Sequence, residues 1–344
     1  MQAPAFVRLH VPLWFPLVVT GFLIILPGRP LDGQAPAFDA QEPAFDAQTP
    51  AFESQANAFA VATWNIRSGY GSVVAGSAAP FDMNTPNCDD PTRPRNAWGT
   101  RLPQRVLKEA IDESVIALGL QEAWGACGNV RNVAAELGWA ARSPERGGVG
   151  LIARHGILGT WETWQIEFRG VAGAPEDRWI IGATVCVTAD CTSTIDVWTT
   201  HLSATVDDQW PHHMGKVLDW LRRRTVPHVL LGDFNIWQND QWSPATRCGR
   251  ATPSMAVALS NLAAAGYVDA WAASQSGEGW TATLGRGGCG DTGSGTAFKR
   301  IDYIWTRGLD VHATSRFGVA LPGEPAASDH VGVKATLTPT SDVP

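Results

Sequence analysis

The sequence has no excess of positive charge: 26 lysines and arginines stand against 33 aspartates and glutamates, for a formal net charge of −7. That excludes a general electrostatic attraction to nucleic acid or to an anionic membrane, so a polyanionic substrate must be captured by a local basic patch or through metal ions. Nor does the N-terminal apolar run, VPLWFPLVVTGFLIIL, reach the length of a bilayer span. It has 16 residues, interrupted by Pro12 and Pro16, against the roughly 20 that a spanning helix needs. There is no Cys-x-x-Cys and no histidine beside a cysteine at ligand spacing, so the six cysteines fit no zinc template. A phosphate-cradling Walker pattern is missing as well, because the glycine-rich LGRGGCGDTGSGTAF lacks Gly-Lys-Ser/Thr and leads into a strand pattern.

What is present is enough apolar material for a large core: 344 residues, 44% hydrophobic and 17% charged, long enough for one big domain or two small ones. Arg8 and His10 precede the apolar run and Ala35-Pro36-Ala37 offers a small-x-small site. Residues 1–37 are therefore expected to be a secretory signal peptide, with an uncleaved anchor as the alternative. Export suits Cys88, Cys127, Cys186, Cys191, Cys248 and Cys289, an even number beyond the signal, as three disulfides in an oxidising compartment. Cys186 and Cys191 are close enough to pair locally; Cys248 with Cys289 and Cys88 with Cys127 follow only from chain order, and free buried thiols are the alternative. A seven-residue repeat follows the signal (QAPAFDA, QEPAFDA, QTPAFES, QANAFAV). With one large apolar residue per unit and Pro36, Pro43 and Pro50 breaking any helix, residues 38–58 read as a Pro/Ala/Gln linker.

Residues 59–339 have the pattern of a folded domain, followed by a short tail, 340–344. FAVATWNI, VIALGLQEAW, GVGLIAR, WETWQIEF, RWIIGATVCV, STIDVWTTHL, PHVLLGDFN, KRIDYIWT and HVGVKATLT read as strands. Helical spacing marks LPQRVLKEAIDES, RNVAAELGW, DDQWPHHMGKVLDWLRRR and PSMAVALSNLAAAG, the last closed by Gly266. Strands often adjacent, with helices between them, predict an α+β domain of two sheets packed on each other with helices outside. His212 and His213, at a helix start, are expected at the surface, and Arg222 to Arg224 at a solvated helix end.

Polar residues recur where strands end. Asn65 ends one (ATWNI), Glu122 a second (LGLQEAW) and His201 a third (VWTTHLSA); Asp233 and Asn235 follow a fourth (LLGDFNIW), Asp302 lies in a fifth (RIDYI), and Asp329-His330 opens a sixth (ASDHVGV). Each alone has a plain structural explanation as a turn-former, cap or hydrogen-bonded strand end. Gathered in space, several carboxylates would crowd at high cost unless a cation neutralised them. Glu122, Asp329 and the amide oxygen of Asn65 are hard donors suited to Mg²⁺, Mn²⁺ or Ca²⁺.

The ordered set WNI, LQE, THL, GDFN, RIDYI and SDH, from Trp64 to His330, resembles the endonuclease/exonuclease/phosphatase superfamily, which includes deoxyribonuclease I, apurinic endonucleases, neutral sphingomyelinases and inositol polyphosphate 5-phosphatases. The resemblance implies a four-layer αββα sandwich of two packed mixed sheets with outer helices, the site at one edge of both. It also implies divalent-metal-dependent hydrolysis of a phosphoric ester by in-line attack of water. Glu122 would be the principal metal ligand, with Asn65 and Asp329 close by to help hold one metal or a second. His330, held by Asp302, would take the proton from water or brace the phosphate, and Asp233 competes for the base role. Asn235 would orient the water or donate to a phosphoryl oxygen; His201 would hydrogen-bond the phosphate or protonate the leaving oxygen. Deoxyribonuclease I pairs the matching histidine with a glutamate, and Glu145, the nearest candidate here, is out of step, so His201 has no assigned partner.

Arg67 in WNIR stands where deoxyribonuclease I has an arginine that reaches nucleic acid. Arg93, Arg95, Arg101 and Arg105 are candidates for a basic rim, and Trp237, Trp242 and Trp280 for base stacking or lipid contact, although most of the 16 tryptophans are expected in the core. The expected partner is a phosphodiester substrate, nucleic acid favoured, for a secreted endonuclease acting on DNA or RNA. A sphingomyelinase or phospholipase C-like enzyme on a lipid head group, or an inositol-phosphate hydrolase, is the alternative. A non-enzymatic binding module comes third, since every chemical position of the family is filled. No protein partner is implied, and a monomer is expected.

Overall fold

A computed structural model describes residues 58–66, 107–108, 110–123, 130–144, 148–167, 178–204, 209–224, 227–238, 251–277, 279–282, 299–319 and 328–340. The expected signal and repeat, Arg67, Arg93, Arg95, Arg101, Arg105, Glu145, Trp242, the glycine-rich loop and Cys88, Cys127, Cys248 and Cys289 lie outside the described residues. So do residues 102–106 and 109 of the expected helix LPQRVLKEAIDES.

Alternation along β1 (Phe59–Asn65) shows how the layers arise. Phe59 and Val61 point into one buried cluster, whereas Ala60, Ala62 and Trp64 point into another. Both faces of the strand are covered, which is why all seven residues are buried. The first sheet has the order β11-β12-β1-β2-β4-β3, with β2 Val115–Gln121, β3 Ala140–Arg142, β4 Gly150–Ala153, β11 Leu309–Phe317 and β12 Gly332–Pro339. The second has the order β5-β6-β7-β8-β10-β9, from β5 Ile157–Ile166, β6 Arg178–Cys186, β7 Thr194–His201, β8 His228–Asp233, β9 Val268–Asp269 and β10 Asp302–Arg307. Residues of both sheets, among them Val61, Leu151, Val197, Leu231, Ile304 and Val333, meet in one core between them.

The outer faces take the helices. α1 (Val130–Leu137) covers the first sheet through Val130 and Val133. α2 (Gln209–Leu221) and α3 (Pro253–Ala264) cover the second, against Trp198, Leu230 and Phe234. A short α4 (Ala270–Ser274) puts Trp271 into the core between the sheets. The arrangement is the expected four-layer sandwich. Gly119 sets the separation of the sheets near the site: a Cβ there would lie 2.0 Å from Leu231 Cδ1 and 2.6 Å from Thr199 Oγ1.

Three local expectations change. His213 is buried rather than exposed, because α2 packs Trp210, His213, Met214, Val217 and Leu221 on the sheet at helical spacing. Arg222 and Arg223 meet solvent, but Arg224 turns back over the Trp198 ring, 4.6 Å from its centroid, and pairs with Glu162 at 2.5 Å. The strand LDVHATSRF, now β11, was not anticipated; it lies at a sheet edge and buries little besides its two end residues. Cys186 and Cys191 form the expected local disulfide, across the hairpin from β6 to β7.

Candidate active site

Each sheet has one parallel pair at its centre, β1 with β2 and β7 with β8. Parallel neighbours end at the same edge, so Asn65 lies opposite Gln121, the residue before Glu122, and His201 lies opposite Asp233. The outer neighbours β12 and β10 run antiparallel, so they begin where the central strands end. Asp302 thus pairs with Asp233, and Asp329-His330 lead into β12 beside the end of β1. Topology alone brings the six strand ends to one edge.

Asp233 is the hub. Its Oδ2 accepts a hydrogen bond from Asn65 Nδ2 at 3.0 Å and lies 3.4 Å from His201 Nε2 and 3.8 Å from His330 Nε2. Its Oδ1 accepts from the backbone N–H of Asn235 at 2.8 Å. Gly232, at φ +142°, lets the backbone pass within 2.0 Å (as a Cβ would measure it) of the Thr200 carbonyl just before Asp233 is presented. Asn65 Nδ2 donates also to Glu122 Oε1 at 3.1 Å, tying the end of β2 to the group. Glu122 and Asn235 both adopt the left-handed backbone, at φ +49° and +52°, a conformation that costs a non-glycine residue about 1–2 kcal/mol. Strain at two strand exits in one site marks them as held for position. Asn235 Nδ2 donates to the Leu202 carbonyl at 3.1 Å, locking the exits of β7 and β8 together.

Across the hub, His330 Nδ1 lies 2.8 Å from Asp302 Oδ2, the expected carboxylate-imidazole pair. The segment carrying it is fixed by residues given no role in the sequence reading. Ser328 Oγ donates to the Asn65 carbonyl at 2.6 Å, the His330 N–H donates to Ser328 Oγ at 3.2 Å, and Trp64 Nε1 donates to the His330 carbonyl at 2.9 Å. Thr281 Oγ1 accepts from the N–H groups of Ile301 and Asp302. Beneath the site, Gln121 Nε2 donates to Thr63 Oγ1 at 3.1 Å and Thr199 Oγ1 at 2.9 Å, joining the sheets through a buried amide. Trp64, Gln121 and Ser328 sit inside the motifs WNI, LQE and SDH, which was the only signal for them.

His201 has a partner of unexpected sign: Arg178 Nη1, from the first residue of β6, lies 3.3 Å from its Nδ1. Asp329 is half-buried, its Oδ1 accepting from Ser328 Oγ at 3.3 Å. Trp237 is half-buried with Lys299 Nζ 5.1 Å above its ring, and Trp280 is half-buried with its carbonyl bound by Arg316.

Proton affinities within the cluster diverge. Burial, reinforced by the neighbouring Asp302 carboxylate, pushes Asp233 up to about 7. Burial opposes charge on His330, but the Asp302 and Asp233 carboxylates overcome it and carry the ring up to about 10. His201 is held well below the ordinary histidine range by burial, then by the Arg178 cation and by His330.

The residues fit a hard divalent cation. Asp233, Asp302 and His330 bring ligand atoms within 4.8 Å of one another, and Asp302 Oδ1 is buried without a hydrogen-bond partner. With Glu122 and Asn65 3.1 Å apart beside them, the donors are mainly oxygen, as Mg²⁺, Mn²⁺ and Ca²⁺ prefer.

A sequence model described as Endonuclease/Exonuclease/phosphatase family matches residues 62–330, which contain every member of this cluster. The chain belongs to that family. Among solved structures, an endonuclease/exonuclease/phosphatase from Beutenbergia cavernae DSM 12333 is 22% identical with a TM-score of 0.55, over 82% of this chain and 72% of that one. A family member from Bacteroides vulgatus is 17% identical with a TM-score of 0.57, over 83% and 100%. The Bacteroides thetaiotaomicron mannosyl-6-phosphatase Bt3783 is 15% identical with a TM-score of 0.54, over 81% and 99%. At these identities the likeness concerns the fold. No curated protein matches the sequence.

Proposed function

We propose that the protein is a secreted, divalent-metal-dependent phosphodiesterase, an endonuclease acting on DNA or RNA. The observation that carries the reading is the meeting of Asn65, His201 and His330 around the Asp233 carboxylate, with Glu122 joined through Asn65, at the shared edge of two sheets. Asn65, Glu122 and Asp329 would hold Mg²⁺ (or Mn²⁺ or Ca²⁺), with Asp302 in the neighbouring cluster of Asp233 and His330. When bound, such an ion polarises a phosphoryl oxygen and neutralises charge that builds on the leaving group.

The chain's own groups then divide the work. Asp233, poised near 7, is better matched than His330 to take the proton of the attacking water at Oδ2. His330, kept cationic by Asp302, braces the phosphoryl oxygens. Asn235, fixed by its bond to Leu202, orients the water. Arg67, next in the chain after Ile66, is proposed to reach a flanking phosphate, which favours a diester of nucleic acid. A phosphomonoesterase is the second reading, favoured by the shared fold of the mannosyl-6-phosphatase and by the acidic net charge. A lipid head group or inositol phosphate remains a substrate to be tested beside these.

The protein should hydrolyse bis(p-nitrophenyl) phosphate with Mg²⁺ or Mn²⁺ and stop when a chelator is added; activity that persists after chelation refutes the mechanism. A side-by-side panel of plasmid DNA, RNA, sphingomyelin, inositol phosphates and p-nitrophenyl phosphate decides the substrate. Preference for the last of these over its diester would overturn the nuclease reading.

A further inference from the structure

We propose that Arg178 is a positioning residue that fixes His201 as the Nε2–H tautomer, so that His201 gives the reaction a hydrogen bond and never a proton. A guanidinium carries only N–H donors. Its approach to 3.3 Å from His201 Nδ1 is therefore a hydrogen bond only if that nitrogen presents its lone pair. A neutral imidazole must then carry its hydrogen on Nε2, which lies 3.4 Å from Asp233 Oδ2, an acceptor. Both contacts are satisfied at once. The other tautomer would set N–H against N–H at one end and lone pair against carboxylate at the other. A ring protonated on both nitrogens would add a second cation beside the guanidinium, in a site where His201 is 4% exposed.

The backbone supports the contact. Arg178 opens β6, next to β7, whose last residue is His201, and Thr200 Oγ1 donates to the Trp179 carbonyl at 3.0 Å. The same guanidinium lies near enough to the buried His213 to disfavour its protonation as well. An arginine thus stands beside His201, whereas the resemblance to deoxyribonuclease I implies a glutamate, and it selects the opposite imidazole hydrogen.

For catalysis this removes one source of the leaving-group proton. As the P–O ester bond breaks, the departing oxygen takes a proton from solvent water, and the hydroxide left behind is neutralised by the proton that Asp233 has taken from the nucleophile and now releases. This kinetic consequence rests on the hydrolase reading above; the tautomer does not.

The test is imidazole ¹⁵N NMR of the full-length, histidine-labelled protein in Mg²⁺ at pH 7, with His201 assigned by the signals lost in His201→Asn. The expected spectrum has a pyridine-type Nδ1 and a pyrrole-type Nε2. A pyrrole-type Nδ1, or two pyrrole-type nitrogens, overturns the proposal from the wild-type spectrum alone. Arg178→Glu should exchange the two signals and lower kcat on bis(p-nitrophenyl) phosphate on the order of 10–100-fold with KM little changed, and Arg178→Lys should restore the native pattern and most of the rate. An Arg178→Glu protein with the native tautomer also refutes the proposal. The native tautomer in a protein inactive on every phosphoester would instead retire the hydrolase reading and leave the positioning role standing.

Discussion

The two sheets share one plan, a central parallel pair flanked by antiparallel strands, yet they deliver different chemistry to the common edge. The first contributes Asn65, Glu122 and Asp329, oxygen donors suited to a cation, and sends His330 across. The second contributes His201, Asp233, Asp302 and Arg178, groups that hold or accept protons. The lesson is that duplicated architecture sets where groups arrive, while single residues at strand exits set what they do. Asp302 and His330, one from each side, close the site at 2.8 Å.

The sharpest way to break this division is to disable each side in turn. Glu122→Ala on one side and Asp233→Asn on the other should each lower turnover by roughly 10²–10⁴-fold, with the thermal melt unchanged or higher, since each removes crowded charge. Raising Mg²⁺ should recover part of the rate for Glu122→Ala and none for Asp233→Asn; equal recovery would erase the distinction.

Acid should expose the second sheet. His213 behind it is held at about 4, against 6.5 in the unfolded chain, by burial first and then by the His212 and Arg178 charges. Between those values the unfolded chain binds the extra proton, so stability is complete above 6.5 and falls as the pH drops toward 4, by about 3 kcal/mol from this group. Chemical denaturation at pH 7 and pH 4 should show that loss in the wild type and a smaller one in His213→Gln.

Asp302→Asn, which weakens the link between the sides, should cost on the order of 10–100-fold in kcat. It should also bring the His330 ring down from about 10, so its ¹⁵N titration moves toward neutral pH. The smallest effect belongs to the brace under the site: Gln121→Leu leaves the buried Thr63 and Thr199 hydroxyls without their amide partner and should destabilise by about 2 kcal/mol in denaturant melts.

Much of this was legible in order along the chain. Nearly continuous apolar runs located most central strands, because those strands are buried on both faces, and polar residues at their ends located the site. Strand β11 escaped because an edge strand with exposed faces lacks that alternation. His213 escaped because its polar ring obscured a helical stripe that Trp210, Met214 and Val217 complete. Arg178 could not be found from spacing at all: only strand pairing brings the start of β6 beside the end of β7. The sequence left His201 without an assigned partner, and nothing local in RWIIGATVCV announces a cation beside it.

The indole of Trp64 grips the carbonyl of His330, 266 positions later, and β12 zips onto β1. Half-made or clipped copies ending before that point lack both the imidazole and the strand that seats it. On the proposed reading, synthesis would complete the site only in its final stretch, and the nascent chain would be inert toward its substrate until then.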